Sequence, residues 1–490
     1  MVFSSITFLF YFLPIVLIVY YIAPNKLKNL VLFLASMLFY FFGEPKYIWL
    51  MLFSVTSIYI HGILIDKYKN TKYAKIFLIS GITISLLLLG YFKYVDFLIG
   101  NINLFLHHKI DAIGVILPIG ISFYTFQMIS YIIDVYKKEA KVQKSFLKLA
   151  TYVTLFPQLI AGPIVRYTTI EEQLEKRTHT FEKFSNGVRR FIIGLSKKVL
   201  IANILGEFIN IYGNLQEKTV LLNWIYAITN MLQIYFDFSG YSDMAIGLGK
   251  MFGFEFLENF NYPYIATSIT DFWRRWHISL STWFRDYVYI PLGGNRVSKI
   301  KWFRNILIVW FLTGLWHGAN WNFILWGLYF GVLLIIEKVF LLKYLEKTPK
   351  IINRIYSLFI VMISFIIFSG SNLVEIENSI KGLFPIEIAL TSNVSIYYLK
   401  SYFIVLILAI IGSTPLTKNS IKKLTIKKNK NGNKQEKRQE KEIEQKETRR
   451  KEITKKIINI LEPITLTILF IVSVSFIVDG SFNPFLYFRF

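Results

Sequence analysis

The chain has 490 residues, of which 54% are hydrophobic and 17% aromatic, and its mean hydropathy is +0.47. Soluble globular chains carry less apolar side chain than this, so the composition reads as an integral membrane protein. The absence of cysteine excludes disulfides, thiolate metal sites and a cysteine nucleophile, and the +24 formal charge is spread over separate loops, so nucleic acid is not an expected partner.

Apolar runs close to the roughly 20 residues that a spanning helix needs recur at 6–22, 30–42, 47–65, 76–99, 113–135, 188–211, 220–236, 302–316, 321–336, 355–368, 402–411 and 464–478. The first lacks a charged flank and a small-residue cleavage site, continuing at once into YYIAPNKLKNL, and reads as a retained span. The expected fold is an all-α polytopic membrane protein of roughly ten to twelve transmembrane helices, with re-entrant or amphipathic helices around a central polar cavity.

Lys67, Lys69, Lys72 and Lys75 fill one loop between spans, and Lys137, Lys138, Lys141, Lys144 and Lys148 fill another. A third tract, 418–456, holds 16 Lys+Arg against 6 Glu. The three share one parity in the span count, which places them in the cytoplasm and both termini outside it. The tract is low in complexity and poor in large apolar residues, so it is a solvated helix or a disordered loop, either idle or docked to anionic lipid headgroups. The chain reads as a single membrane domain, 1–490, with 418–456 as a polar insertion.

Three polar features interrupt the apolar pattern in its second half. In YFDFSGYSDMAIGLGKMFGF (235–254), Asp237 and Asp243 are expected to pair with cations, because buried carboxylates do so. In DFWRRWHISLSTWFRDYVYIPLGG (271–294), a projection at about 100° per residue puts Asp271, Arg274, His277, Ser281 and Arg285 on one stripe, opposite an aromatic face. Two readings stand: a helix lying in the interface, or a re-entrant helix whose arginines line a cavity and suit phosphate or carboxylate groups. In LTGLWHGANWNFILWGLYFG (312–331), the same projection groups Thr313, His317 and Asn320. An imidazole in such a tract is costly unless it faces partners or water, and it is the side chain best suited to proton transfer near neutral pH.

These segments resemble the membrane-bound O-acyltransferase family, and within it the alginate and peptidoglycan O-acetyltransferase branch. The resemblance runs from MVFSSITFLFYFLPIVLIVYY through LPIGISFYTFQMISYIIDVY and LFPQLIAGPIVR. It sharpens at YFDFSGYSDMAIGLG, FWRRWHISLSTWFRDYVYIPLGGNR and GLWHGANWNFILWG, and ends at NPFLYFRF. It implies that His317 is the essential histidine and His277 the second histidine of this branch. Acyl transfer, most simply of acetyl, would run from a cytoplasmic thioester donor such as acetyl-CoA to a hydroxyl of an extracytoplasmic polysaccharide, with no bound cofactor and no metal.

In that scheme His317 is a general base, and His277, Asn320, Arg274 or Arg285 orient it, bind substrate or donate to the oxyanion. A separate SGNH-type transferase completes such systems outside the membrane. Tyr487 in the terminal NPFLYFRF either carries the acyl group toward that partner or anchors the chain at the interface. The sister branch, which passes D-alanine to teichoic acid, is the first alternative; the opening MVFSS and the greater length weigh against it. A transporter or flippase is the second, and no inverted repeat supports it.

Overall fold

The computed structural model describes residues 1–160, 162–386, 388–425 and 439–480, and among these every regular element is helical. Among the described residues six helices are long and apolar enough to cross a bilayer: Pro45–Lys67, Lys72–Ile102, Trp321–Leu345, Lys350–Ser369, Asn393–Gly412 and Lys456–Asp479. Thr7–Ile22 and Lys28–Phe41 are apolar but shorter. The remaining expected spans fall on helices of mixed polarity, of which Ile121–Lys137 and Val220–Met251 are buried almost throughout.

The centre of the molecule is Val220–Met251, a 32-residue helix buried almost throughout. It packs along the run formed by Phe181–Ser196, the π-helical turn Lys197–Asn203 and Ile204–Asn214. Glycines set this contact: a Cβ on Gly187 would lie 2.7 Å from the Gly247 carbonyl oxygen, and one on Gly194 would lie 2.5 Å from that of Gly240. Backbones this close gain dispersion contacts that larger residues would block. Ion pairs add to the seam, because Asp237 meets Lys198 at 2.5 Å and Asp243 meets both Lys197 at 2.7 Å and Arg190 at 2.8 Å. Both aspartates are therefore paired, as a carboxylate in a membrane interior requires.

The expected span 113–135 is displaced. Residues 103–120 have no helix, and the helix is Ile121–Lys137. Asp96 accepts from the backbone N–H groups of Ile113 (2.8 Å) and Val115 (2.9 Å), satisfying donors that a helix would have used internally. Gly120, at φ +77, starts the helix where a Cβ would sit 2.6 Å from the Leu159 carbonyl oxygen.

Two of the basic loops adjoin, since Lys138 Nζ donates to Asn70 Oδ1 (2.8 Å) and the Tyr59 hydroxyl donates to the Lys144 carbonyl (2.8 Å). Of the third tract, 426–438 lies outside the described residues, and the rest of its second half opens the helix Gln439–Asp479. That helix pairs Glu462 with Arg189 and ends at Asp479; the next residue, Gly480, lines a cavity of about 510 Å³ with Val2, Ser4 and Ser5. The start of the chain and residue 480 thus share one end of the molecule.

Candidate active site

The helix Lys299–His317 ends on His317, after which Gly318 is extended. Asn320 then caps Trp321–Ile336 by accepting from the Trp321 N–H at 2.7 Å. The two helices form a tight hairpin, because a Cβ on Gly314 would strike the Phe323 carbonyl and one on Gly327 would strike that of Trp310. His317 is 3% exposed. Its ring stands edge-on to Trp326 (4.8 Å), Trp316 (5.1 Å) and Phe368 (5.4 Å).

The carbonyls that this helix end leaves without intrahelical donors are met from another element. Lys93, in Lys72–Ile102, donates to the Trp316 carbonyl (2.5 Å) and to Ser122 Oγ (3.2 Å). The neighbouring Tyr94 hydroxyl donates to the Leu315 carbonyl (2.7 Å). A cation at a helix C-terminus is also favoured by the helix dipole. Sequence reading passed over Lys93, although a lone lysine inside LLLLGYFKYVDFLIG carries the same warning as a histidine in an apolar tract.

The single helix expected over 271–287 is broken, which overturns the projected stripe. Ile269–Trp273 is followed by a turn, His277 takes a left-handed conformation at φ +43, and a second helix covers Ile278–Phe284. His277 is 0% exposed and its Nδ1 lies 3.2 Å from Asn259 Oδ1. That oxygen already accepts from the backbone N–H and Oγ of Ser279, so Nδ1 is the donor to it and Nε2 is the bare nitrogen. The His277 ring sits 6.0 Å from that of Trp316, so Trp316 contacts both histidine rings. Asp271 pairs with Arg275 (2.9 Å).

Arg274, Ser281 and Arg285 do remain together, lining a cavity of about 300 Å³ with Tyr289, Thr313 and Lys338. Arg285 is engaged by Asp286 (2.6 Å), which also meets Arg166 (2.8 Å). Burial would raise the Asp286 carboxyl, but the two guanidiniums hold it below the usual carboxylate range. Arg274 and Lys338 have no partner among the described residues, so they are the cations this cavity offers to an anion.

The expected grouping of Thr313, His317 and Asn320 is also corrected. Because the helix stops at His317, Thr313 donates to the Val309 carbonyl (2.7 Å) on the Arg274 side. Asn320 faces a second cavity of about 690 Å³, shared with Lys93, Tyr226, Gln233, Asn322 and Glu375. A small void of about 30 Å³, lined by His317, Trp316 and Ser122, shares Lys93 with this second cavity. Over eight residues the chain thus passes from one cavity, through His317, into the other. Tyr487 lies outside the described residues. Among those described, no group of three or more His, Asp or Glu could hold a metal ion.

A family model for MBOAT, the membrane-bound O-acyltransferase family, matches residues 137–374, which contain both histidines, both cavity arginines and Asn320. The chain is 44% identical over 378 residues to a probable alginate O-acetylase of Azotobacter vinelandii, covering 76% of each. It is 35% identical over 419 residues to a peptidoglycan O-acetyltransferase of Helicobacter pylori, covering 78% of this chain and 80% of the relative. A teichoic acid D-alanyltransferase of Bacillus subtilis is 33% identical over 229 residues, covering 44% of this chain and 58% of the relative.

Proposed function

The chain belongs to the membrane-bound O-acyltransferase family and is a membrane acyltransferase, and we propose that it transfers acetyl from a cytoplasmic thioester, such as acetyl-CoA, for O-acetylation of a polysaccharide outside the cell. The observation that carries this reading is the position of His317, on a short stretch of chain whose two ends line the two cavities. The donor enters the Arg274 cavity, where Arg274 and Lys338 receive its phosphates. The acceptor hydroxyl enters the Asn320 cavity.

His317 removes the hydroxyl proton as the oxygen attacks the thioester carbonyl. The carbon–sulfur bond then breaks, and the thiolate leaves with that proton. Asn320 and the donors beside it stabilise the tetrahedral oxyanion, while His277 orients the site through Trp316. The basic loops are cytoplasmic and both termini extracytoplasmic, so acetyl crosses the membrane through the site. Tyr487 accepts the acetyl and hands it to an SGNH-type partner, which completes transfer to the glycan. The D-alanyl reading draws on a match of less than half the chain.

Replacement of His317 by Ala should lower transfer by about 10²- to 10⁴-fold, the usual contribution of a positioned base, while the protein still inserts and accumulates. Acetyl released from surface glycan by mild alkali, beside membrane abundance, measures both. Unchanged acetylation would remove His317 from the chemistry; equal loss of protein and activity would make it structural. Tyr487→Phe separates relay from anchor: a relay requires surface acetylation and thioester turnover in membranes to fall together at normal membrane abundance, because the accepting hydroxyl is gone, and full surface acetylation would leave Tyr487 an anchor.

A further inference from the structure

Away from the acyl-transfer site, the end of the molecule that carries the adjoining basic loops holds a second cluster of charge. Tyr20, fully buried, gives its hydroxyl proton to the Phe252 carbonyl (2.7 Å) and accepts from Arg177 Nε (3.1 Å) and His179 Nε2 (2.9 Å). Arg177 Nη1 also donates to Asn29 Oδ1 (2.8 Å) and to the Gln173 carbonyl (3.0 Å). Lys28 lies over the rings of Tyr20 (5.1 Å) and Tyr21 (5.6 Å).

Lys28 is only 8% exposed, yet it has no hydrogen-bond or carboxylate partner among the described residues. A lysine so largely covered is normally paired, because desolvating its ammonium is costly. No described carboxylate pairs with Arg177 or His179 either; the nearby Glu255 is taken by Lys183 (3.1 Å). Burial and then the charges of Lys28, Arg177 and Lys183 pull the His179 imidazole down to about 4, which marks the same excess of positive potential. On the surface beside the cluster, Ile22, Leu27 and Phe181 are exposed at 79%, 47% and 86%. Apolar side chains displayed beside uncompensated cations at a helix end fit one ligand class, an anion that carries its own hydrocarbon.

We propose that Lys28 and Arg177 form a binding site for the phosphate of an anionic phospholipid. The phosphate completes the coordination of Lys28 and the unused Arg177 Nη2, and its acyl chains lie along Ile22 and Leu27. The site is independent of the acyl-transfer reading and stands or falls separately.

The full-length protein, released from mixed phosphatidylglycerol and phosphatidylcholine membranes, tests the site by its retained lipid, read by native mass spectrometry. Wild type should hold phosphatidylglycerol in preference to phosphatidylcholine, and Lys28→Gln or Arg177→Gln should each cut that preference about fivefold, the weight of one basic group near an anionic surface. Lys26→Gln removes the same charge from an exposed position two residues away and should leave it unchanged. Equal retention of both lipids by wild type overturns the site, as does a Lys26→Gln loss matching that of Lys28→Gln, which means diffuse attraction. Displacement of the lipid by adenosine 3′,5′-bisphosphate overturns the lipid assignment in favour of a soluble phosphate. If Arg177→Gln fails to accumulate, Lys28→Gln decides alone, because Lys28 has no hydrogen bond to lose.

Discussion

Lys93 holds the carbonyl of the residue before His317, so it acts on the imidazole through the helix end that carries it. A hydrogen bond from a charged donor contributes about 1.5–3 kcal/mol, or roughly 10- to 100-fold in a rate that depends on that geometry. Lys93→Met should therefore lower kcat by about that factor with KM for the thioester little changed, and Lys93→Arg should recover part of it. A rise in KM at constant kcat would make Lys93 a substrate contact, and a fall in thermal stability that tracks activity would make it a structural brace. His317 itself was legible from the sequence because a histidine among Leu, Trp and Gly is conspicuous. Lys93 carried the same signal but belongs to a helix about 220 residues upstream, and nothing local announces that the two meet.

The segment from Ile269 to Tyr289 shows why the polar residues were identifiable and their arrangement was not. Its periodicity is helical, yet the backbone bonds that a continuous helix would make are replaced by partners far away in sequence. Asn259 supplies its carbonyl to Ile278 N–H (3.0 Å) and its side chain to Ser279, and Asn261 N–H donates to the Arg275 carbonyl (2.9 Å). At the other end, Glu337, itself 0% exposed, accepts from the N–H groups of Ile269 and Thr270 (2.7 Å each) and from Thr270 Oγ1 (2.5 Å). These partners outweigh local propensity and cost His277 its helical conformation, which separates it from Arg274 and Arg285. Glu337 extends the helix that follows His317, so it ties the two halves of the site together. Glu337→Ala should leave the buried Ile269 N–H without an acceptor, at about 1–3 kcal/mol, together with two part-buried donors of Thr270, and lower the unfolding temperature in detergent by several degrees; Glu337→Gln, which keeps one oxygen, should lower it less. An unchanged midpoint in the alanine variant would show that water serves those donors equally well.

At the scale of the whole molecule, charge and architecture bear on the same question of sidedness. The loops at 67–75 and 137–148 meet through Lys138 and Asn70, while Val2, Ser4 and Ser5 share a cavity with Gly480. Positive loops are retained in the cytoplasm, so the topology proposed above expects termini outside and the 418–456 tract inside. Because the chain has no cysteine, a single introduced thiol reports its own side without background. Ser4→Cys should react with a membrane-impermeant maleimide in intact cells, and Asn433→Cys should react only after permeabilisation. The reverse pattern would invert the topology and, with it, the direction assigned to acetyl transfer. Replacing 418–456 with a short flexible linker should then leave insertion and most acetylation intact, since neither cavity beside His317 draws a lining residue from the described part of that tract; loss of acetylation with normal membrane abundance would instead give the tract a part in donor delivery.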